Sequence, residues 1–281
     1  MRLKILIWSA MFVLLLVPAV APRAAAQNAE TMLPEASATK AKQLLQQLLD
    51  ALGGPAYLRA REVLCIGRLA QFGHNGDLIG YQHFKDFWRY PDKNRTEYGK
   101  KGEIVDLFAG DQGWTLDKGG VSEVPAGRVS DFQEQVKKDI DNLLRGRLKE
   151  DGMIFRYGGP GIEDLKPVDW VELVDSGRRT FRIAIERSSH LMVRGLVIIR
   201  DNTTRERTEE LTVYSNYHLL DGVMTPLQVE REHDGRRVYQ VFYESCQVNP
   251  NFPDELFTKA SLEKRYSEVG KKKKNKDTDK D

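Results

Sequence analysis

The chain has 281 residues, 41% hydrophobic and 30% charged, a composition that excludes a disordered polypeptide and allows one moderate domain or two small ones. Its formal charge of +2 comes from the ends: without Arg2, Lys4 and Arg23 it is −1, and residues 271–281 carry six Lys and three Asp, which leaves −4 on the core. The basic balance therefore comes from segments outside the fold and gives no argument for nucleic-acid binding by the domain.

Arg2 and Lys4 precede an apolar run over residues 5–17, which Pro18 ends; Ala24, Ala25 and Ala26 then offer a cleavage site before Gln27. This is the pattern of a secretory signal peptide over residues 1–26, cleaved near Ala26, and it predicts a periplasmic protein. The run is short for a membrane span and no later stretch is long enough for one. No Cys stands at the new N-terminus, so no lipid anchor is expected there. Export makes a disulfide between Cys65 and Cys246 chemically possible; both lie in strand-like runs, and the sequence leaves their pairing open.

Residues 27–39 read as a polar linker. Leu44, Leu45, Leu48, Leu49 and Leu52 recur at helical spacing, which predicts an amphipathic helix over 40–52, stopped by Gly53, Gly54 and Pro55. Such a stripe suits a core helix over a sheet or a lid over an apolar cavity. Strands are expected over 61–72 and 78–90, joined at Asn75-Gly76, a dipeptide that takes the positive φ of tight turns. In the second of these strands Phe84, Trp88 and Tyr90 share one parity and Ile79, Tyr81 and Phe87 the other, so either both faces are covered or a bulge shifts the register.

Short strands over 94–100, 103–109 and 114–116 continue the meander. Ser130 and Gln133 fit a capping box, which predicts a helix over 130–145 with Phe132, Val136, Ile140, Leu143 and Leu144 as its apolar stripe. Further strands are expected over 168–175, 180–186, 192–201, 209–217, 223–231 and 236–248. Their one-sided alternation (Phe181, Ile183 and Ile185 against Arg182, Ala184 and Glu186) marks an antiparallel sheet. Gly158, Gly159, Pro160 and Gly161 read as a loop, and residues 253–259 as one helical turn. A single domain over 40–262 is expected, followed by a Lys-rich disordered tail over 263–281 whose lysines offer weak contact with anionic lipid.

No catalytic constellation stands out. His74, His83, His190, His218 and His233 are scattered, without metal-ligand spacing, and no Gly-x-Ser-x-Gly elbow is present. The reading is therefore a non-enzymatic protein with no cofactor, no metal and no nucleic-acid partner. The positive signal is aromatic: Phe84, Phe87, Trp88, Tyr90, Phe108 and Trp114 fall within one short meander, beside Arg89 and Arg95. Phe84, Trp88, Arg89, Tyr90, Arg95, Phe108 and Trp114 are the candidate ligand-binding residues. The aromatics would wall an incompletely filled sheet face, where an acyl chain gains about 0.8 kcal/mol per buried methylene, and the arginines would stand at its rim.

The order of these elements, and the segments Arg89-Tyr90-Pro91-Asp92-Lys93-Asn94-Arg95, Phe108-Ala109-Gly110-Asp111-Gln112-Gly113-Trp114, Val223-Met224-Thr225-Pro226 and Val248-Asn249-Pro250, resemble the periplasmic lipoprotein-sorting carriers of the LolA/LolB type. Where those carriers place an arginine before the proline, this chain has Tyr90. The resemblance implies an α+β fold: an open, strongly curved antiparallel half-barrel of about 10–11 strands wrapped around helices. It implies a carrier for lipid or the acyl chains of lipoproteins, transporting or sorting them to the outer membrane, with an envelope protein as donor or acceptor. The same fold also suits an envelope sensor or scaffold that binds a protein partner.

Overall fold

The computed structural model describes residues 29–200, 204 and 206–278. The expected signal peptide, the first two residues of the expected linker and residues 279–281 lie outside the described residues.

The fold is α+β, built on one antiparallel sheet of 13 strands in the order β6-β5-β4-β3-β2-β1-β13-β12-β11-β10-β9-β8-β7. The strands are β1 (Glu62–Phe72), β2 (Leu78–Arg89), β3 (Lys93–Tyr98), β4 (Ile104–Ala109), β5 (Gln112–Asp117), β6 (Gly120–Glu123), β7 (Ile154–Glu163), β8 (Lys166–Val174), β9 (Thr180–Glu186), β10 (Met192–Arg200), β11 (Arg207–Leu220), β12 (Val223–His233) and β13 (Arg236–Val248). Two meanders, β1–β6 and β7–β13, join where β1 pairs with β13, and Cys65 stands opposite Cys246 across that pair in a disulfide. The sheet is open at β6 and β7, and it is neither closed nor strongly curled, which corrects the strongly curved half-barrel and the lower strand count.

The two added strands explain the count. β6 is a four-residue edge strand. β7 contains the Gly-rich stretch expected to be a loop. Pro160 is tolerated because β7 is an edge strand, with a neighbouring strand on one side only. Glycine is required there by packing: a Cβ on Gly158 or Gly161 would lie 2.9 Å from the Trp170 side chain of β8.

The helices do not sit inside the sheet. Helices α1 (Pro34–Ala51), α2 (Pro55–Arg59), α3 (Ala126–Lys138) and α4 (Ile140–Gly146) belong to one face. Leu44, Leu45, Leu48 and Leu49 of α1 pack with Leu143 and Leu144 of α4 on Val171, Leu173, Phe181 and Ile183, which form the principal core. α1 begins six residues before the expected start. Pro34 suits a first helical turn, and buried Ser37 accepts the Tyr157 N–H at 2.9 Å, fixing the added turn to β7. Its end fits closely at Gly53, where a Cβ would meet the Gly222 carbonyl oxygen of the β11–β12 turn.

The expected single helix over 130–145 is two. Asp139 is extended (φ −66°, ψ 126°), and its carboxylate accepts the Asn142 N–H at 2.7 Å, so it caps a new helix. Ser130 lies inside α3 and caps nothing.

The opposite face of β3–β5 is covered by the C-terminal segment, a single 3-10 turn (Asp254–Phe257) followed by α5 (Lys259–Thr278). Phe257 and Leu262 bury against Val105, Leu107, Trp114 and Leu116. Within the expected tail the chain is helical to Thr278, and Arg265 bonds Glu97 at 2.7 Å and the carbonyls of Lys101 and Gly102. Composition does not show this, because the helix is held by a single buried leucine, Leu262, and by polar contacts of Ser261 with Arg95 and of Arg265 with Glu97. Among the described residues no helix is long and apolar enough to cross a membrane.

Candidate functional site

Alternation along β2 sends Phe84, Asp86 and Trp88 to the face that carries α1–α4, and Phe87 and Arg89 to the face under the C-terminal segment. Both faces of β2 are covered, which accounts for its two apolar parities. On the helical side, a cavity of about 830 Å³ lies between the middle of the sheet and a roof made of α2, α4 and the end of α3. Its volume falls in the usual range for small-molecule sites. Val63, Leu69, Val229 and Val241 give it an aliphatic floor, and Tyr57, Tyr90, Tyr98, Tyr214, Tyr217, Tyr239 and Tyr243 line it.

Three of the seven sequence candidates, Phe84, Trp88 and Tyr90, line this cavity. Phe84 packs on Tyr243 at 5.8 Å between ring centroids, and Trp88 stacks between Tyr90 and Phe132, each at 6.2 Å. Phe108 lies on the same face but behind Phe132, stacked on it at 4.6 Å, so it supports the wall without lining it.

Arg89, Arg95 and Trp114 are on the other face. Arg89 donates to Glu62 at 2.8 Å, Asp254 at 2.6 Å and the Phe252 carbonyl at 2.6 Å. Arg95 is buried, paired with Glu97 at 2.8 Å and bonded to the Leu256 carbonyl and Ser261. Trp114 belongs to the core with Phe257 and Leu262. These three do not line the cavity, because β2, β3 and β5 place them at the outward parity, where they hold the C-terminal segment.

The polar end of the cavity was not read from the sequence. Asp141 of α4 accepts the Tyr57 hydroxyl at 2.6 Å and pairs with Arg145 at 3.6 Å. The Arg145 guanidinium lies between the rings of Tyr57 (3.9 Å) and Tyr90 (4.6 Å) and donates to the Tyr57 carbonyl. Asn142 donates to the Pro91 carbonyl at 2.9 Å and so ties α4 to the β2–β3 turn, where the Tyr90-Pro91 peptide is cis. Across the cavity, Arg231 bonds Thr212 at 2.7 Å and also Glu210, which Lys138 reaches at 2.5 Å.

Burial raises the Asp86 carboxyl above its ordinary range, against hydrogen bonds from Asn94, Thr96 and Trp88. Burial, and then the charge of Asp141, pushes Asp139 up to about 7. Burial also raises the phenols of Tyr57, Tyr90, Tyr214, Tyr217 and Tyr243, which stay neutral hydrogen-bonding groups. One sequence signal does point here: an Asp two residues before another Asp and three before Asn142 is a strong N-cap. Among the described residues no group of His, Cys, Asp and Glu side chains converges as a metal site.

This fold occurs in other solved structures. A DUF1329 family protein from Desulfovibrio piger superposes with a TM-score of 0.55 at 11% identity, over 79% of this chain and 98% of that one. A domain assigned to outer membrane lipoprotein sorting, from Vibrio parahaemolyticus, superposes with a TM-score of 0.52 at 10% identity, over 80% and 99%. The chain has the fold of a lipoprotein-sorting domain. A LolA superfamily protein from Nitrosomonas europaea gives a TM-score of 0.49 at 14% identity, over 79% and 99%. No protein-family model and no curated protein sequence matches the chain.

Proposed function

We propose that the chain is a non-catalytic periplasmic carrier for an acylated ligand, a lipid or the lipid moiety of a lipoprotein destined for the outer membrane. The observation that carries this reading is the cavity of about 830 Å³ beneath α2–α4, whose floor is Val63, Leu69, Val229 and Val241, the first three only half-buried. Apolar surface of this kind stabilises a bound alkyl chain by roughly 0.8 kcal/mol per methylene. Phe84, Trp88 and Tyr90 form its aromatic wall. The Cys65–Cys246 disulfide suits an oxidising compartment. The resemblance to a lipoprotein-sorting domain in fold supports the class of ligand.

The test is uptake of a fluorescent fatty-acyl probe by the purified protein. The expected result is saturable binding that Val229→Trp, which fills the floor, weakens at least tenfold. A probe that stays in water with the unmodified protein would rule the carrier out.

A further inference from the structure

The cavity opens at one end. Of the described residues that line it, only Gln71, Ile79 and Val238 are exposed, and all three stand close to the turns of the β1–β2 and β12–β13 hairpins. Gln71 pairs with both Tyr239 and Gly80, so the two hairpin ends lie side by side. Ile79 is 71% exposed and Val238 41%, which marks the place where an alkyl chain can enter. A second groove, of about 560 Å³, adjoins the cavity here, and the two share Phe72, Gln135, Arg231, Val238 and Tyr239.

A second observation concerns charge. Arg231, Arg236 and Arg237 line this outer groove with His74 and His233, and among the described residues Glu210 is its one carboxylate. Arg231 and Lys138 both pair with Glu210, so that cluster keeps one positive charge in excess. Arg237 is matched by Glu230 at 2.9 Å. Asp234, at the β12–β13 turn, accepts the Glu209 N–H and faces His233 at 3.4 Å. Arg236 pairs with no carboxylate among the described residues; it donates instead to the His74 ring, 2.7 Å from Nε2. Two side chains able to carry positive charge thus meet at the mouth with no anion between them. The carboxylates Asp86, Asp139 and Asp141 line the inner cavity only, so the field favours an anion at the mouth and disfavours one inside. A guanidinium without a partner at the entrance to an apolar cavity suits a carboxylate or phosphate, whose oxygens accept two of its N–H groups at once.

We propose that the ligand is an amphiphile with an anionic headgroup, a carboxylate or a phosphate, held at the mouth by Arg236 and Arg231 beside His74, while its alkyl chain enters past Ile79 and Val238. This assignment rests on the carrier reading and narrows it to one charge of headgroup.

The test compares probes with the same twelve-carbon chain, dodecyl phosphate, dodecanoate, dodecylamine and dodecyl maltoside, each below its micellar concentration at about pH 7.5, by isothermal titration, with inorganic phosphate alone as a fifth titrant. The two anions are expected to bind at least tenfold more tightly than the amine or the maltoside. Arg236→Gln, at an exposed position, is expected to weaken both anions at least fivefold and to leave the maltoside within about twofold. Arg68→Gln, which alters an exposed arginine of β1 outside the groove, is expected to change none of them, and a thermal melt of each variant verifies folding. The amine or the maltoside binding as tightly as the anions, or Arg68→Gln weakening the anions as much as Arg236→Gln, overturns the headgroup assignment and leaves the carrier reading in place. Inorganic phosphate binding as tightly as dodecyl phosphate overturns the amphiphile and makes the groove a site for the free anion. None of the alkyl probes binding overturns both readings.

Discussion

Parity along β2 decides which aromatic side chains face the cavity, and it separates the two tryptophans that the sequence placed together. Trp88 stacks in the cavity wall, whereas Trp114 is core beneath Phe257. Trp88→Ala is therefore expected to weaken acyl-probe binding severalfold. Trp114→Ala should cost about 3–5 kcal/mol of stability and leave the wall intact; urea unfolding beside probe titration distinguishes them. Asp139 gives a pH signature. Its carboxyl, ordinarily near 3.8, is raised to about 7 in the fold by burial and by Asp141, with Arg231 and Arg145 opposing. A carboxyl raised on folding favours the folded state while protonated, so this contribution is complete below about pH 4 and is lost as pH rises toward 7. Asp139→Asn preserves the cap and removes that loss, so its melting temperature should exceed that of the parent by a few degrees at pH 8, with the gap shrinking toward pH 5.

At the scale of elements, most of the strands were legible because hydrophobic alternation and turn residues report local geometry. β7 was not, since its glycines serve the Trp170 side chain of a neighbouring strand, a tertiary reason that composition cannot carry. The break at Asp139 was hidden because the apolar stripe of α3 and α4 continues in phase across it, while the cap that ends one helix and starts the next is a single side chain. The packing of the C-terminal segment was not legible for a related reason: its hold on the sheet runs through Arg89, Arg95 and Arg265, residues that read as surface until their partners are known. Phe257→Ala should lower stability by about 3–4 kcal/mol and increase hydrogen exchange in β4 and β5, because it opens the core around Leu107. The disulfide fastens the first meander to the last strand across a separation of 181 residues. Replacing both Cys65 and Cys246 by Ser should cost about 2–4 kcal/mol, measured by denaturant unfolding.

For the whole molecule, fold class and strand direction followed from the sequence, and the cavity did not. An antiparallel order of strands is local information, but a cavity is a volume left over between a sheet and its roof. Its lining comes from β1, β2, β3, β10, β11, β12, β13 and the helices together. Sequence reasoning found the part contributed by β2, where the aromatics cluster, and missed Tyr214, Tyr239 and Tyr243, which lie apart in the second meander. Arginines near an aromatic run were assigned to the rim of the site, whereas they hold the opposite face; the charges that do line the cavity, Asp86, Asp139, Asp141, Arg145 and Arg231, carry no local motif. The central claim is that this volume holds an acylated amphiphile. Its most direct test is mass spectrometry of the organic extract of protein purified from the periplasm without detergent. The account predicts a stoichiometric acylated molecule, depleted in the Val229→Trp protein; an extract free of acyl species, from protein that also refuses added acyl probe, would contradict it.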